Sequence, residues 1–175
     1  NGTTKVLDWM LNNNEVIDAC IVGEPTNPDY LGQMIKIGRR GSFTGWLTVT
    51  GVQGHTAYPH LAENPLSKLV KMLEPLAEEQ LDQGTEYFPP TTAAISSIDT
   101  GNSASNVIPQ KVTASFNIRF NDSRTAEDIE KWLRAHFDSV GGNYTLETAC
   151  SSNAFITEPG ALSDDLVSAV KAVVG

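Results

Sequence analysis

Residues 111–140, KVTASFNIRFNDSRTAEDIEKWLRAHFDSV, change their hydrophobic period once, and that change decides the fold. Over 111–120, Val112, Ala114, Phe116, Ile118 and Phe120 alternate with Lys111, Thr113, Ser115, Asn117 and Arg119, the period of a strand with one wet face. Over 122–140 the apolar residues Ile129, Trp132, Leu133 and Phe137 recur at helical spacing, and Thr125 with Asp128 allows a capping box. Gly141-Gly142 is a helix stop, and YTLETAC, 144–150, reads as a further strand.

Towards the N-terminus, TTAAISSI, 91–98, is a strand. Before it, 65–80 is a helix with Leu66, Leu69, Val70, Leu73 and Leu76 on one stripe, which Pro75 should bend or shorten. SFTGWLTVTG, 42–51, is rich in β-branched and aromatic residues and reads as a strand. The order from 42 to 150 is therefore β-α-β-β-α-β. The predicted class is α+β, a ferredoxin-like plan of one antiparallel sheet with both helices on one face.

The flanks read differently. Residues 3–12 form a helix, and VIDACIVG, 16–23, is a short continuous apolar run, as in a strand covered on both faces. GEPTNPDY, 23–30, is a turn; LGQMIKIGRRG, 31–41, is another strand; and 163–175 is a helix. These look like pieces of a host α/β domain into which the α+β unit is inserted.

A chain of 175 residues can bury roughly two-thirds of its unfolded surface. Its 40% hydrophobic and 19% charged residues are those of a globular chain. A formal net charge of −9 argues against nucleic acid and anionic membranes as partners, although converging arginines could still hold a small anion. The two cysteines, Cys20 in an apolar run and Cys150, give no disulfide framework or zinc motif. No apolar run approaches the ~18 residues of a membrane span, and residues 1–12 do not look like a signal peptide, so a reducing cytoplasm is the expected location.

Several residues could carry chemistry. Glu24 follows the apolar run 16–23, at the end of a strand where ligands gather in open α/β sheets, though a solvated turn acid would look the same. His55 and His60 lie with Tyr58 in the loop GVQGHTAYPHLAENP, 51–65. His55 is either a packed loop histidine or a donor to a developing oxyanion. His60 reads as a structural partner, and His136, on the polar side of a helix, has no evident task. Arg119 ends the wet face of its strand, Asn106 precedes a strand where Asn often makes a turn, and Arg39 and Arg40 could protect a sheet edge.

Taken in order, VGEPT, KIGRRGS, GVQGHTAYPHLAENP, FPPTT, SNVIPQ and FNIRF resemble the dinuclear-zinc amidohydrolases, the aminoacylase-type metallopeptidase family of desuccinylases, acetylornithine deacetylases and carboxypeptidase G-type enzymes. The resemblance runs from about residue 2 to 175, and GHTAYPHLAENP with RRGS favours the desuccinylase branch. It implies hydrolysis of N-succinyl-LL-2,6-diaminopimelate in lysine biosynthesis, with two zinc ions (or cobalt) as cofactor. It implies a dimerisation (lid) domain at 41–153, through which a homodimer forms, between partial catalytic-domain segments at 1–40 and 154–175. Glu24 matches a zinc-binding carboxylate. His55 matches the histidine that crosses the dimer interface to the oxyanion, and Arg39, Tyr58, Asn106 and Arg119 match positions that hold the small anionic substrate. The family's His-x-Asp motif, bridging Asp, Glu-Glu pair and late His ligand have no counterparts at the expected places, so the chain should be inactive alone. The alternatives are a related deacylase or carboxypeptidase, or a non-catalytic oligomerisation module, which would not need the polar set Arg39, His55, Asn106 and Arg119.

Overall fold

A computed structural model describes residues 2–78 and 80–174. In chain order the elements are α1 (Gly2–Asn12), β1 (Gly38–Arg39), β2 (Gly41–Thr50), β3 (Gly54–His55), a 3-10 turn (Pro59–Leu61), α2 (Pro65–Ala77), β4 (Thr92–Asp99), β5 (Val107–Ile108), β6 (Lys111–Phe120), α3 (Ala126–Val140), β7 (Asn143–Ser152), β8 (Phe155–Ile156) and α4 (Ala161–Val174). The chain divides into two units, 1–37 with 158–175, and 38–157.

The second unit is built on a four-stranded antiparallel sheet in the order β4-β6-β2-β7. β2 and β6 pair without a slip from Gly41↔Phe120 to Thr50↔Lys111, because each keeps strict alternation along its length. Phe43, Leu47 and Val49 of β2 and Val112, Ala114, Phe116, Ile118 and Phe120 of β6 point to one face. There they join Leu69, Met72, Leu73 and Leu76 of α2 and Ile129, Leu133 and Phe137 of α3 in a single buried cluster. Both helices thus cover the same face. Gly45 lies opposite Phe116, and a Cβ there would stand 2.3 Å from Phe116 Cζ, so the ring occupies the place of the missing side chain.

Both helix ends follow the sequence. Asn64 caps α2 by accepting from the Leu66 amide at 3.0 Å, ahead of Pro65 at the first helical position. At α3 the Thr125 hydroxyl accepts from the Asp128 amide at 3.2 Å and the Asp128 carboxylate from the Thr125 amide at 3.0 Å, the expected capping box. Since Thr125 is the cap, α3 starts at Ala126 and not at 122. Pro75 sits within the last turn of α2. The expected helix spans 65–80 and 163–175 take in Glu79 and Gly175, which lie outside the described residues.

The first unit departs from the sequence reading. Residues 16–23 form no strand and are exposed throughout, so Cys20, within that apolar run, is an exposed thiol. An apolar run becomes a strand only by pairing with another, and among the described residues no strand lies beside this one. The expected strand 31–41 shrinks to Gly38–Arg39, paired with Phe155–Ile156. Ahead of it the chain turns: Gln33 and Asp29 exchange two hydrogen bonds of 3.1 Å, and Gly32 has φ +86°. Among the described residues no helix is long and apolar enough to cross a membrane.

Candidate functional site

The polar face of the sheet carries one row of side chains near the point where the chain enters the second unit. Thr92, Arg119, Ser42 and Ser152 are directly paired across the four strands. Arg39 Nη2 donates to Ser152 Oγ at one end of this row, and Arg40 Nη1 donates to Thr92 Oγ1 at the other at 3.3 Å. One rung along, Asn117 Nδ2 braces β2 through Ser42 Oγ, the Phe43 carbonyl and Thr44 Oγ1 at 3.0–3.3 Å. Among the described residues the ion pairs are Arg124–Asp82 and Arg134–Glu130, and neither involves Arg39, Arg40 or Arg119. Three guanidiniums along one row, none in an ion pair with a carboxylate among the described residues, have the chemistry to meet a small anion.

His55, Tyr58 and Asn106 form a second cluster. β3 pairs with β5 so that His55 faces Val107, and the Thr56 amide donates to the Asn106 carbonyl at 3.0 Å. The loop 52–63 is closed at its neck by two Val52–Glu63 backbone bonds of 2.9 Å. Within it the Ala57 amide donates to His55 Nδ1 at 3.0 Å, so the neutral ring carries its proton on Nε2, the outer nitrogen. Tyr58 lies between the histidines, its ring tilted against His55 at 5.9 Å and edge-on to His60 at 6.4 Å.

The two clusters lie at opposite ends of the sheet. Ser42 and Arg119 stand at one end of β2 and β6; β3 and β5 continue from the other. Eight residues of strand separate Lys111 from Arg119, about 27 Å at ~3.4 Å per residue. The geometry thus puts Arg39 and Arg119 at the same end of the sheet, two strands apart, and His55 with Tyr58 and Asn106 beyond the other end.

Glu24 lies in the first unit, exposed. Among the described residues no three of His, Cys, Asp and Glu come close enough to hold a metal ion. One carboxylate does not fit a dinuclear zinc centre, whose ions each need about four ligands.

Three features escaped the sequence reading. Ser42 and Ser152 belong to the arginine row, and Ser42 could have been found from its alternation with core-facing Phe43. His136 is not idle: its Nε2 donates to the Lys71 carbonyl of α2 at 3.0 Å. Asp82 collects three hydrogen bonds in the loop before β4, and no motif marks it.

The peptidase dimerisation domain (M20 dimer) model matches residues 37–145. Succinyl-diaminopimelate desuccinylase of Rhodospirillum centenum is 58% identical over 175 residues, covering 100% of this chain and 45% of the relative. That of Parvibaculum lavamentivorans is 51% identical over 179 residues, with 100% and 45% covered. The chain thus spans about half the length of the curated relatives it matches. Among solved structures, an M20 family metallo-carboxypeptidase from Sulfolobus solfataricus superposes with TM-score 0.74 at 13% identity, over 95% of this chain and 58% of that one. A tripeptidase from Staphylococcus aureus gives 0.63 at 14%, over 79% and 36%. With the family model spanning most of the second unit, the chain belongs to the M20 peptidase dimerisation-domain family.

Proposed function

We propose that this chain supplies the dimerisation (lid) domain, 41–153, and flanking catalytic-domain segments, 1–40 and 154–175, of a zinc-dependent amidohydrolase. The whole enzyme hydrolyses N-succinyl-LL-2,6-diaminopimelate to succinate and LL-diaminopimelate. The names of the curated relatives support the substrate, and the strand order β4-β6-β2-β7 supports a ferredoxin-like lid.

The observation that carries the mechanism is the separation of the two clusters. An oxyanion donor must sit within about 3 Å of the reacting carbonyl, and β6 alone puts about 27 Å between Arg119 and the end of the sheet beyond which His55 lies. One small substrate cannot span both. A second copy related by a two-fold axis resolves this: His55 of one subunit completes the site whose carboxylates are held by Arg39 and Arg119 of the other. Its Nε2–H donates to the tetrahedral oxyanion, with Tyr58 and Asn106 travelling with it on the β3–β5 loops.

The open edge of β4 and the adjoining surface of α2, where Val70 is 66% exposed, are the surfaces that pair. Joining two β4 edges makes one continuous sheet and removes an unprotected edge. Two zinc ions in the whole enzyme would supply Lewis-acid chemistry, and Glu24 would be this chain's single contribution to their ligands.

Subunit complementation in the whole enzyme tests this reading. His55→Ala and Arg119→Gln should each lower kcat/KM by about 10²–10³. Reassembled as a random mixture, half the dimers pair one variant with the other and hold one intact site, restoring about a quarter of wild-type activity. A mixture no more active than either variant would show that His55 serves its own subunit.

A further inference from the structure

Residues 81–91, between α2 and β4, take no part in the sheet, yet they touch both sides of the arginine row. The Leu81 amide closes the loop on the Thr91 carbonyl at 2.8 Å. Inside this neck, Asp82 Oδ1 accepts from the Gly84 amide at 2.9 Å, the Thr91 amide at 2.8 Å and Asn121 Nδ2 at 2.9 Å. Its other oxygen is buried, has no hydrogen bond, and faces Arg124 Nε at 3.5 Å. Thr91 and Asn121 are both fully buried, and the Asn121 amide donates to Thr91 Oγ1 at 3.3 Å. Thr91 precedes Thr92, the cross-strand partner of Arg119, and Asn121 lies two residues beyond Arg119. The node therefore clamps the end of β6 to the start of β4.

The other side of the loop grips the entering strand. The Phe88 ring is buried and lies against Gly38, where a Cβ would come within 3.0 Å of Phe88 Cζ. Arg40 Nη1 donates to the Pro90 carbonyl at 3.2 Å. Thr85 ties the middle down, its hydroxyl donating to Asp122 Oδ1 at 2.7 Å. One compact loop thus connects residues 38–40, which carry Arg39 and Arg40, to residues 119–124, which carry Arg119.

We propose that the loop 81–91 is a strap whose anchor, Asp82, is a positioning residue for the anion row: it sets where Arg39 stands relative to Arg119 without touching the anion. The inference rests on the reading of that row as the carboxylate-binding part of the site. A half-buried carboxylate suits the task because one oxygen serves three donors and the charge holds Arg124. An amide of the same shape would turn an NH2 group towards that guanidinium.

The test uses the 175-residue chain, succinate as probe, and two readouts: NMR titration and amide hydrogen exchange. The variants are Asp82→Asn, Phe88→Ala, which cuts the strap from Gly38 but leaves the node, and Arg119→Gln. Wild type should bind succinate and Arg119→Gln should not. Asp82→Asn and Phe88→Ala should each bind about tenfold more weakly. Exchange at residues 38–40 should quicken in both while the core amides of β2 and β6 stay protected. Wild-type binding in both strap variants, or unchanged exchange at 38–40, overturns the strap. If Asp82→Asn unfolds, Phe88→Ala decides alone. If wild type and Arg119→Gln alike fail to bind, the anion reading has failed. Exchange then decides the strap, with faster opening at 38–40 supporting it and unchanged opening overturning it.

Discussion

Pro75 lies in the last turn of α2 and has no amide hydrogen to give the Lys71 carbonyl one turn back. His136 of α3 supplies the missing donor at 3.0 Å, so a defect in one helix becomes a tie between two. Replacing His136 with Ala removes one neutral hydrogen bond, about 0.5–1.5 kcal/mol net. The site is exposed and water can reach the bared carbonyl, so the expected loss lies in the lower half, about 0.5–1 kcal/mol. For a unit of this size that is a fall of about 2–4 °C in Tm. The sharper measurement is a double-mutant cycle with Pro75→Ala, which returns an amide to residue 75. In that background Lys71 has an intrahelical partner, and His136→Ala should cost under about 0.5 kcal/mol. Urea unfolding followed through NMR signals of the second unit gives all four stabilities. Equal losses in the two backgrounds would refute the reasoning, because His136 would then be contributing something other than a partner for the Lys71 carbonyl.

Gly45→Ala should destabilise by about 1–3 kcal/mol, since its Cβ would stand 2.3 Å from a buried Phe116 ring, and pairing it with Phe116→Leu should recover part of the loss in the same urea assay. Thr125→Ala should cost α3 about 1 kcal/mol through loss of the hydroxyl half of its capping box, while the residue-125 amide can still donate to Asp128. The acid limb should be carried by Asp82, Asp128 and Glu130, all held below the ordinary carboxylate range. Burial pushes Asp82 up, but its bonds from Thr91, Gly84 and Asn121 outweigh that; Thr125 depresses Asp128, and Arg134 depresses Glu130. Groups with depressed native values stabilise fully above their unfolded pKa, so stability should hold from neutral pH down to about 4.5 and fall below it, less steeply in Thr125→Ala. The purified chain should hold no stoichiometric zinc by elemental analysis and should not hydrolyse N-succinyl-diaminopimelate; turnover by the pure chain would refute that.

The second unit was legible because its local signals agree with its tertiary structure. The period-2 run ending in Phe120, the Thr125 cap and the helical stripe Ile129–Leu133–Phe137 each specify one element, and the alternation in β2 and β6 specifies which face packs. The run 16–23 was as apolar as any strand in the chain, yet Val16, Ile17, Ile21 and Val22 are exposed. Apolarity records that a segment is to be covered; it does not carry the covering strand with it. Residues 31–37 failed for a local reason, the Asp29–Gln33 turn. His136 and Asp82 were illegible because their partners, Lys71, Thr91 and Asn121, are brought up by helix packing and a loop that no periodicity describes.

The sequence nominates candidate site residues but carries no geometry for them. The resemblance assigns His55 to a partner's site, but motif order alone gives no distances among Arg39, His55, Tyr58, Asn106 and Arg119. The pairing of β2 with β6 over ten residues supplies one. It places Ser42 beside Arg119 at one end and leaves the β3–β5 loops, with His55, beyond the other. Strand length acts here as a ruler. A lid of short strands could have carried anion platform and imidazole together and worked as a monomer. On the proposed function, two halves about 27 Å apart serve one substrate only when a second copy turns its own loops towards the first. Dimerisation of the whole enzyme would then be required by the chemistry, and separating the dimer should abolish turnover even where every subunit remains folded.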